Sequence, residues 1–446
     1  VSACVPSLRV VGAELVWTGT QEIPGATLSC RDGRIVEDAA GSSAAGPSVA
    51  GTVLDASGCI VTPGLVNAHH HLLQCAFRTM PDARHVPMRS WLSTMADAYR
   101  RAAVDPELAG AAALVGLAES LLCGVTTVAD HHLTWPVGVD EAELGSAVAA
   151  AARRLGARIA FVRGSAGGDP EQAALGVEAL LGALAVGPGG VSRDGMLQLA
   201  VGPAGVHSGG PETFAVFAEL AARHGLRRRT QANEQVDVEV AEGRFGRRPL
   251  ELLEEWGWLA PDVTVAHLCK ITADEVRRVG VCGASATHAP GCDLPSGWGV
   301  SPVGALLDHG VTVGLGTSGG GSNDAGHLLA DARLAMQVAP LGVPRGQAVT
   351  ARVALAMATA GSALGLGRPE LGSLEPGSVA DLCCWDVSGV ADAGVADPLA
   401  GLIWAGPGRR PRHVVVAGRV VVEDGRLTTG DEHDIVAGLA RILGAR

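Results

Sequence analysis

Of the 34 basic residues in this 446-residue chain only one, Lys270, is a lysine; the rest are arginine. Tyrosine occurs once and phenylalanine five times, so any core has to be built from small aliphatic side chains. The ten cysteines form no CxxC pair, which excludes a cysteine-based zinc knuckle. No uninterrupted apolar run reaches the length of about 18 residues that a membrane-spanning helix needs. The start, Val1-Ser2-Ala3-Cys4, lacks a basic segment followed by an apolar one. We therefore expect no secretory leader, reduced thiols and a cytoplasmic location. Positive charge is in deficit overall, with a net charge of −12, which argues against nucleic acid or an anionic membrane as the main partner.

What is present is apolar and glycine-rich. Hydrophobic residues make up 47% of the chain, enough to exclude disorder. The 62 glycines are about twice the usual share of roughly 7%. Short apolar runs separated by turn residues occupy residues 8–11, 26–29 and 58–61, with a Gly/Ser/Ala loop at 40–51. Residues 380–385 and 413–422 look alike, the latter as two strands joined by an Ala-Gly turn. Neither end has enough strands for its own core, so they are expected to pair into one small β-sandwich. Between them, apolar runs such as 126–129, 158–162, 197–201, 264–266 and 312–315 alternate with amphipathic stretches such as 107–122, 141–155, 212–224 and 303–309. Such alternation over about 300 residues fits an α/β fold, a (β/α)8 TIM barrel. A doubly wound sheet is the alternative, weakened because no GxGxxG follows the first strand. The expected division is residues 1–62 and 371–446 for the sandwich and 63–370 for the barrel.

Polar residues gather just after the apolar runs, where a barrel keeps its reacting groups. In Pro63-Gly64-Leu65-Val66-Asn67-Ala68-His69-His70-His71, strand alternation puts His69 and His71 on one face and His70 on the other, and two such imidazoles can chelate one metal. His267 ends Val265-Ala266-His267. Glu234, after Thr230-Gln231-Ala232-Asn233, is a candidate general acid/base. Asp130-His131-His132 follows another apolar run and suits pocket lining or support of the ligands. Gly314-Leu315-Gly316-Thr317-Ser318-Gly319-Gly320-Gly321-Ser322-Asn323-Asp324 lacks the lysine of a phosphate loop. Its glycines are expected to let backbone approach a substrate, with Asn323 and Asp324 bracing the loop. Lys270, three residues beyond His267, is a candidate base or Schiff-base lysine. Gln74, Trp91, Arg163, His207, His288 and Asp293 join Asn323 as expected substrate contacts, Trp91 by stacking on a planar ring and Arg163 by holding a carboxylate or carbonyl.

The order of these motifs resembles the amidohydrolase superfamily. Within it the chain is most similar to the aromatic-heterocycle branch of deaminases and chlorohydrolases, which includes guanine and 8-oxoguanine deaminases and the s-triazine hydrolases. Met88-Arg89-Ser90-Trp91-Leu92, Gly297-Trp298-Gly299 and Ser322-Asn323-Asp324 add to the likeness. The resemblance implies one divalent metal, zinc, with His69 and His71 as ligands, His267 joining the metal or polarising the substrate, Gln231 at a further ligand position, and Glu234 as proton shuttle. It also implies a small-molecule substrate and a homodimer. Two family positions differ: Gln231 stands where a ligand histidine is expected, and Ser318 where an aspartate is. Two readings follow. One is hydrolytic loss of an amino or other leaving group from an N-heterocycle, with Gln231 and Ser318 at the site. The other is a metal-free cyclase, dehydratase or lyase using Glu234, His267 and Lys270. A non-catalytic binder is a weaker third.

Overall fold

The computed structural model describes residues 7–37, 51–342, 344–406 and 408–446. The start of the chain and residues 40–50 of the Gly/Ser/Ala loop lie outside the described residues.

The middle of the chain forms one parallel sheet. Its strands are β1 (Leu65–His71), β2 (Val125–His132), β3 (Arg158–Ser165), β4 (Leu197–Pro203), β5 (Arg227–Ala232), β6 (Val263–His267), β7 (Ser285–His288), β8 (Val313–Leu315) and β9 (Ser318–Gly319). From β1 to β8 each strand pairs with the next in sequence. The short β9 then returns to β1, setting Ser318 opposite His70 and Gly319 opposite His71. The architecture is TIM-barrel-like. Every residue of β1, β2, β3, β4, β6 and β7 is buried. That is why these strands read as continuous apolar runs rather than alternating ones. Helices lie between them, and their ends are written in the sequence. The helix Glu141–Leu155 begins at Asp140, whose carboxylate accepts from the Ala142 amide at 2.7 Å, and ends at Gly156 with φ of 68°.

The two ends of the chain meet in a seven-stranded sheet. Strands 15–17, 22–24 and 59–63 from the N-terminal side join 382–386, 413–416, 419–423 and 426–427 from the C-terminal side. A second sheet, of strands 7–11, 28–31, 34–36 and 51–55, comes from the N-terminal side alone. Leu8, Val10, Ile35 and Leu54 of the small sheet share one core with Val61, Leu382, Cys384 and Val415 of the large one. One layer of the sandwich is N-terminal and the other is mixed. The Ala-Gly turn is present, with Ala417 and Gly418 both at positive φ (49° and 76°), as a two-residue hairpin requires.

The sandwich is tied to the barrel by a buried ion pair. Arg158, at the start of β3, reaches Asp381 through Nε at 3.2 Å and Nη2 at 3.1 Å, and the Ala417 amide donates to Asp381 at 2.7 Å. Glycine is required where the two units touch: a Cβ on Gly124 would lie 2.5 Å from the Trp385 ring.

Candidate active site

The C-terminal ends of the barrel strands surround a cavity of about 1010 Å³, at the top of the usual range of roughly 300–1,000 Å³ for ligand pockets. His71, Gln74, Trp91, His207, Gln231, Glu234, His267 and Ser318 all line it.

β1 positions the first two imidazoles. The His69 and His71 rings are 4.8 Å apart, and His69 is 5.1 Å from the His267 ring on β6. Thus His69 sits between the other two, although His71 and His267 are 196 residues apart in sequence (267 − 71). The strand is locked by Asn67, which donates to the Thr317 hydroxyl at 2.8 Å and accepts from the Thr317 amide at 3.2 Å. Gly316 makes room, since a Cβ there would lie 2.8 Å from the His69 Cβ. His71 is oriented by its Nδ1, which donates to the His131 carbonyl at 2.7 Å, and His131 in turn donates to the Gly202 carbonyl at 3.0 Å. Burial keeps all three rings neutral: His69 is well below its usual range, His71 at about 4 and His131 at about 3.

β5 and β6 end in sharp, stitched turns. Asn233 (φ 54°), His267 (φ 73°) and Leu268 (φ 59°) occupy the left-handed region without being glycine, as does Ser318 (φ 57°). Such conformations cost of order 1–3 kcal/mol each and persist where surrounding contacts hold them. Here the Leu268 amide donates to the Ala232 carbonyl at 3.1 Å and the Lys270 amide to the Asn233 carbonyl at 2.8 Å. The result is that Glu234 and His267 face each other, with His267 Nε2 3.8 Å from a Glu234 oxygen. His267 Nδ1 donates to Asp293 at 2.8 Å. Burial pushes Glu234 up to about 7, against the pull of His267 and His207. Burial opposes protonation of His267, but the charges of Glu234 and Asp293 outweigh it and raise the ring to about 9.

Several residues fall elsewhere than the sequence suggested. Lys270 is exposed and does not line the cavity: after the two left-handed residues the chain has turned outward, and only its backbone serves the site. Arg163 is also outside the cavity. Its guanidinium is held by Glu141 at 3.0 and 2.6 Å and lies over the Trp135 ring at 4.7 Å, so no free fork remains for substrate. Asp293 acts through His267 rather than lining the cavity. His288 is buried beside the cavity and not on its wall. Asn323 braces the loop, donating to the Thr317 carbonyl at 2.9 Å and to Asp331 at 3.1 Å. The loop glycines approach protein rather than open cavity, because a Cβ on Gly319 would lie 2.0 Å from Gln74 Oε1 and one on Gly321 2.6 Å from Met95. Trp91 lines the wall but spends its Nε1–H on the Gly321 carbonyl at 3.0 Å.

Three lining residues leave little or no signal in the sequence. Trp135 and Tyr99 come from a loop and a helix whose place at the mouth only the fold sets. Cys292 follows β7, and its Sγ lies with a His267 nitrogen and an Asp293 oxygen inside a 4.8 Å group. Its one signal is its place just past an apolar run, in Pro290-Gly291-Cys292-Asp293.

The chain is similar to known proteins over most of their length. An 8-oxoguanine deaminase of Pseudomonas aeruginosa is 35% identical over 427 residues, covering 92% of each chain. An isoxanthopterin deaminase from an unknown prokaryotic organism is 30% identical, covering 94% of this chain and 93% of its own. The solved structure of the atrazine chlorohydrolase TrzN from Arthrobacter aurescens TC1, complexed with zinc, superposes with a TM-score of 0.88 at 33% identity, covering 98% of this chain and all of the other. Residues 60–421 match the Amidohydrolase family, and the chain belongs to it.

Proposed function

We propose that this amidohydrolase displaces an amino or comparable leaving group from an N-heteroaromatic small molecule by water. The observation that carries the reading is the convergence of three imidazoles beside Glu234: His71, His267 and Glu234 line the cavity, and His69 is buried directly behind them, 4.8 and 5.1 Å from the His71 and His267 rings. The donor set fits a divalent cation. His69 Nε2 is buried without a hydrogen-bond partner among the described residues, and His71 and His267 each have Nδ1 tied to an oxygen acceptor, which directs Nε2 at the site; on His267 a cation would take the place of the proton that the Glu234 and Asp293 charges favour there. His69, His71 and His267 would hold the ion, with Gln231 and Ser318 beside it in place of stronger ligands. Bound there, a zinc ion would supply the acidity that brings a water to a pKa near 7.

The protein's own groups do the rest. Glu234, poised near neutrality, takes the proton of the attacking water and returns it to the ring nitrogen or leaving group. Asp293 holds the His267 ring in orientation. Trp91 and Trp298, in edge-to-face contact at 5.4 Å, form an apolar wall for a planar ring. The metal-free reading is not favoured: the relatives are deaminases and chlorohydrolases by name, and Lys270 is exposed. We also count β8 and β9 as two halves of an eighth strand, which makes the barrel (β/α)8, inserted between terminal segments divided near 62/63 and 370/371.

The test is metal analysis of full-length protein purified without chelator, with ammonia and chloride release measured on a panel of amino- and chloro-substituted heterocycles. About one zinc per chain and loss of turnover on chelation are expected. Less than about 0.1 equivalent of metal, with turnover surviving chelator, overturns the reading.

A further inference from the structure

A second cavity, of about 740 Å³, lies at the opposite end of the barrel, between the starts of β3 and β4 and the terminal sheets. Its walls carry seven arginines and three acidic residues, a balance of +4 (7 − 3) in a chain whose net charge is −12. Two of the guanidiniums form the floor. Buried Arg158 and Arg368 both donate to the Gly195 carbonyl, at 2.5 and 3.0 Å, and each is also paired with a carboxylate, Asp381 and Glu370, so the unpaired positive charge of the cavity lies on the rim. Gly195 turns at φ of 70°, and a Cβ there would approach both guanidiniums at 3.3 and 3.6 Å. Around the rim stand Arg34, Arg153, Arg154, Arg193 and Arg419, all exposed.

All three acids already have partners. Asp194 is occupied by the Ser192 hydroxyl at 2.6 Å and the Met196 amide at 3.0 Å, and Glu370 by Arg368 at 2.5 Å. Among the described residues no carboxylate forms an ion pair with Arg153, Arg154, Arg193 or Arg419. Helix-end stabilisation accounts for Arg153 and Arg154, which close the last turn of Glu141–Leu155. It does not account for Arg193, from the loop before β4, or Arg419, from the terminal sheet. Gathering these cations from separate elements costs repulsion that a bound anion relieves. Planar guanidinium forks match phosphate oxygens two at a time.

We propose that this cavity binds a compact polyanion of oligophosphate chemistry, with Arg193 and Arg419 gripping it from opposite walls above Arg158 and Arg368. The site is separate from the heterocycle cavity and does not depend on the activity proposed for it.

Calorimetric titration of the full chain at low salt, with tripolyphosphate, ATP and adenosine as probes, tests the assignment. Tripolyphosphate and ATP should bind saturably at one per chain, with affinity falling as salt rises, and adenosine should not compete. The variant Arg193→Ala/Arg419→Ala should bind tripolyphosphate roughly tenfold more weakly or worse, with heterocycle turnover unchanged. Independently of any variant, tripolyphosphate should protect Arg193 and Arg419 of the unaltered protein from phenylglyoxal, read by peptide mass spectrometry. Unsaturable binding, equal binding by the variant, absence of protection, or displacement of ATP by adenosine overturns the proposal. So does a concentration-dependent self-association that buries these arginines and excludes tripolyphosphate.

Discussion

Removing the Asp381 carboxylate should be among the most destabilising single changes in this chain. Asp381 and Arg158 are 3% and 1% exposed. Asp381→Ala deletes two acceptor positions for Arg158 and one for the Ala417 amide, and leaves a buried guanidinium whose remaining partner is the Gly195 carbonyl. Charge-assisted hydrogen bonds are worth about 1.5–3 kcal/mol each, so a simple sum for the three exceeds about 4 kcal/mol. The arginine-lined cavity beside Arg158 lets water reach the stranded cation and lowers that figure. The expected loss is therefore about 3–5 kcal/mol, the usual cost of breaking a buried pair from one side. Equilibrium denaturation with urea, followed by tryptophan fluorescence and by circular dichroism, measures it, and the two probes also show whether sandwich and barrel unfold together. The double change Arg158→Met/Asp381→Leu, which removes both charges, should recover most of the loss. A single-variant cost under about 1 kcal/mol, no more than an average substitution, would refute the view that this pair clamps the sandwich to the barrel.

Glu234→Gln should reduce kcat by about 10²–10⁴ while zinc content and substrate binding change little, measured by turnover and by calorimetry on the same preparation. Asp293→Ala frees the His267 ring from its 2.8 Å anchor and should weaken metal affinity about 10–100-fold, read by competition with a chromophoric chelator. Asp331 supplies a pH dependence: burial raises its carboxyl to about 7 in the folded protein, against a usual value near 4. The folded state thus holds a proton that the unfolded chain has lost, so stability should fall as pH rises from about 4 to 7 and level off above. Asp331→Asn should flatten that slope in thermal melts taken across the range; an unchanged slope refutes the assignment.

The residues that revealed themselves in the sequence did so through local rules. Strand alternation alone places His69 and His71 on one face, and their rings are 4.8 Å apart. The helices were legible because their termini are capped by neighbours in sequence, as Asp140 and Gly156 show for 141–155. Arg163 misled because the carboxylate that claims it, Glu141, lies on another element, and a pairing across 22 residues leaves no periodic trace. Lys270 misled for the opposite reason. It is close to His267 along the chain, but two successive left-handed residues, His267 and Leu268, turn its side chain away.

Periodicity and nearest neighbours along the chain were enough for the α/β alternation, the terminal sandwich strands and the shared face of His69 and His71, whereas Glu234 and His267 stood out only through their place after barrel strands and the order of the motifs. Which charges face which was left to the packing of distant segments. That packing set His267 between Glu234 and Asp293, gave Arg163 to Glu141, and drew arginines from a helix end, a barrel strand, two loops and two terminal strands around one cavity at the far end of the barrel. The physical reason is that electrostatic interactions depend on distance and burial, which folding sets between residues hundreds apart, whereas strand and helix patterning depends on spacing along the chain.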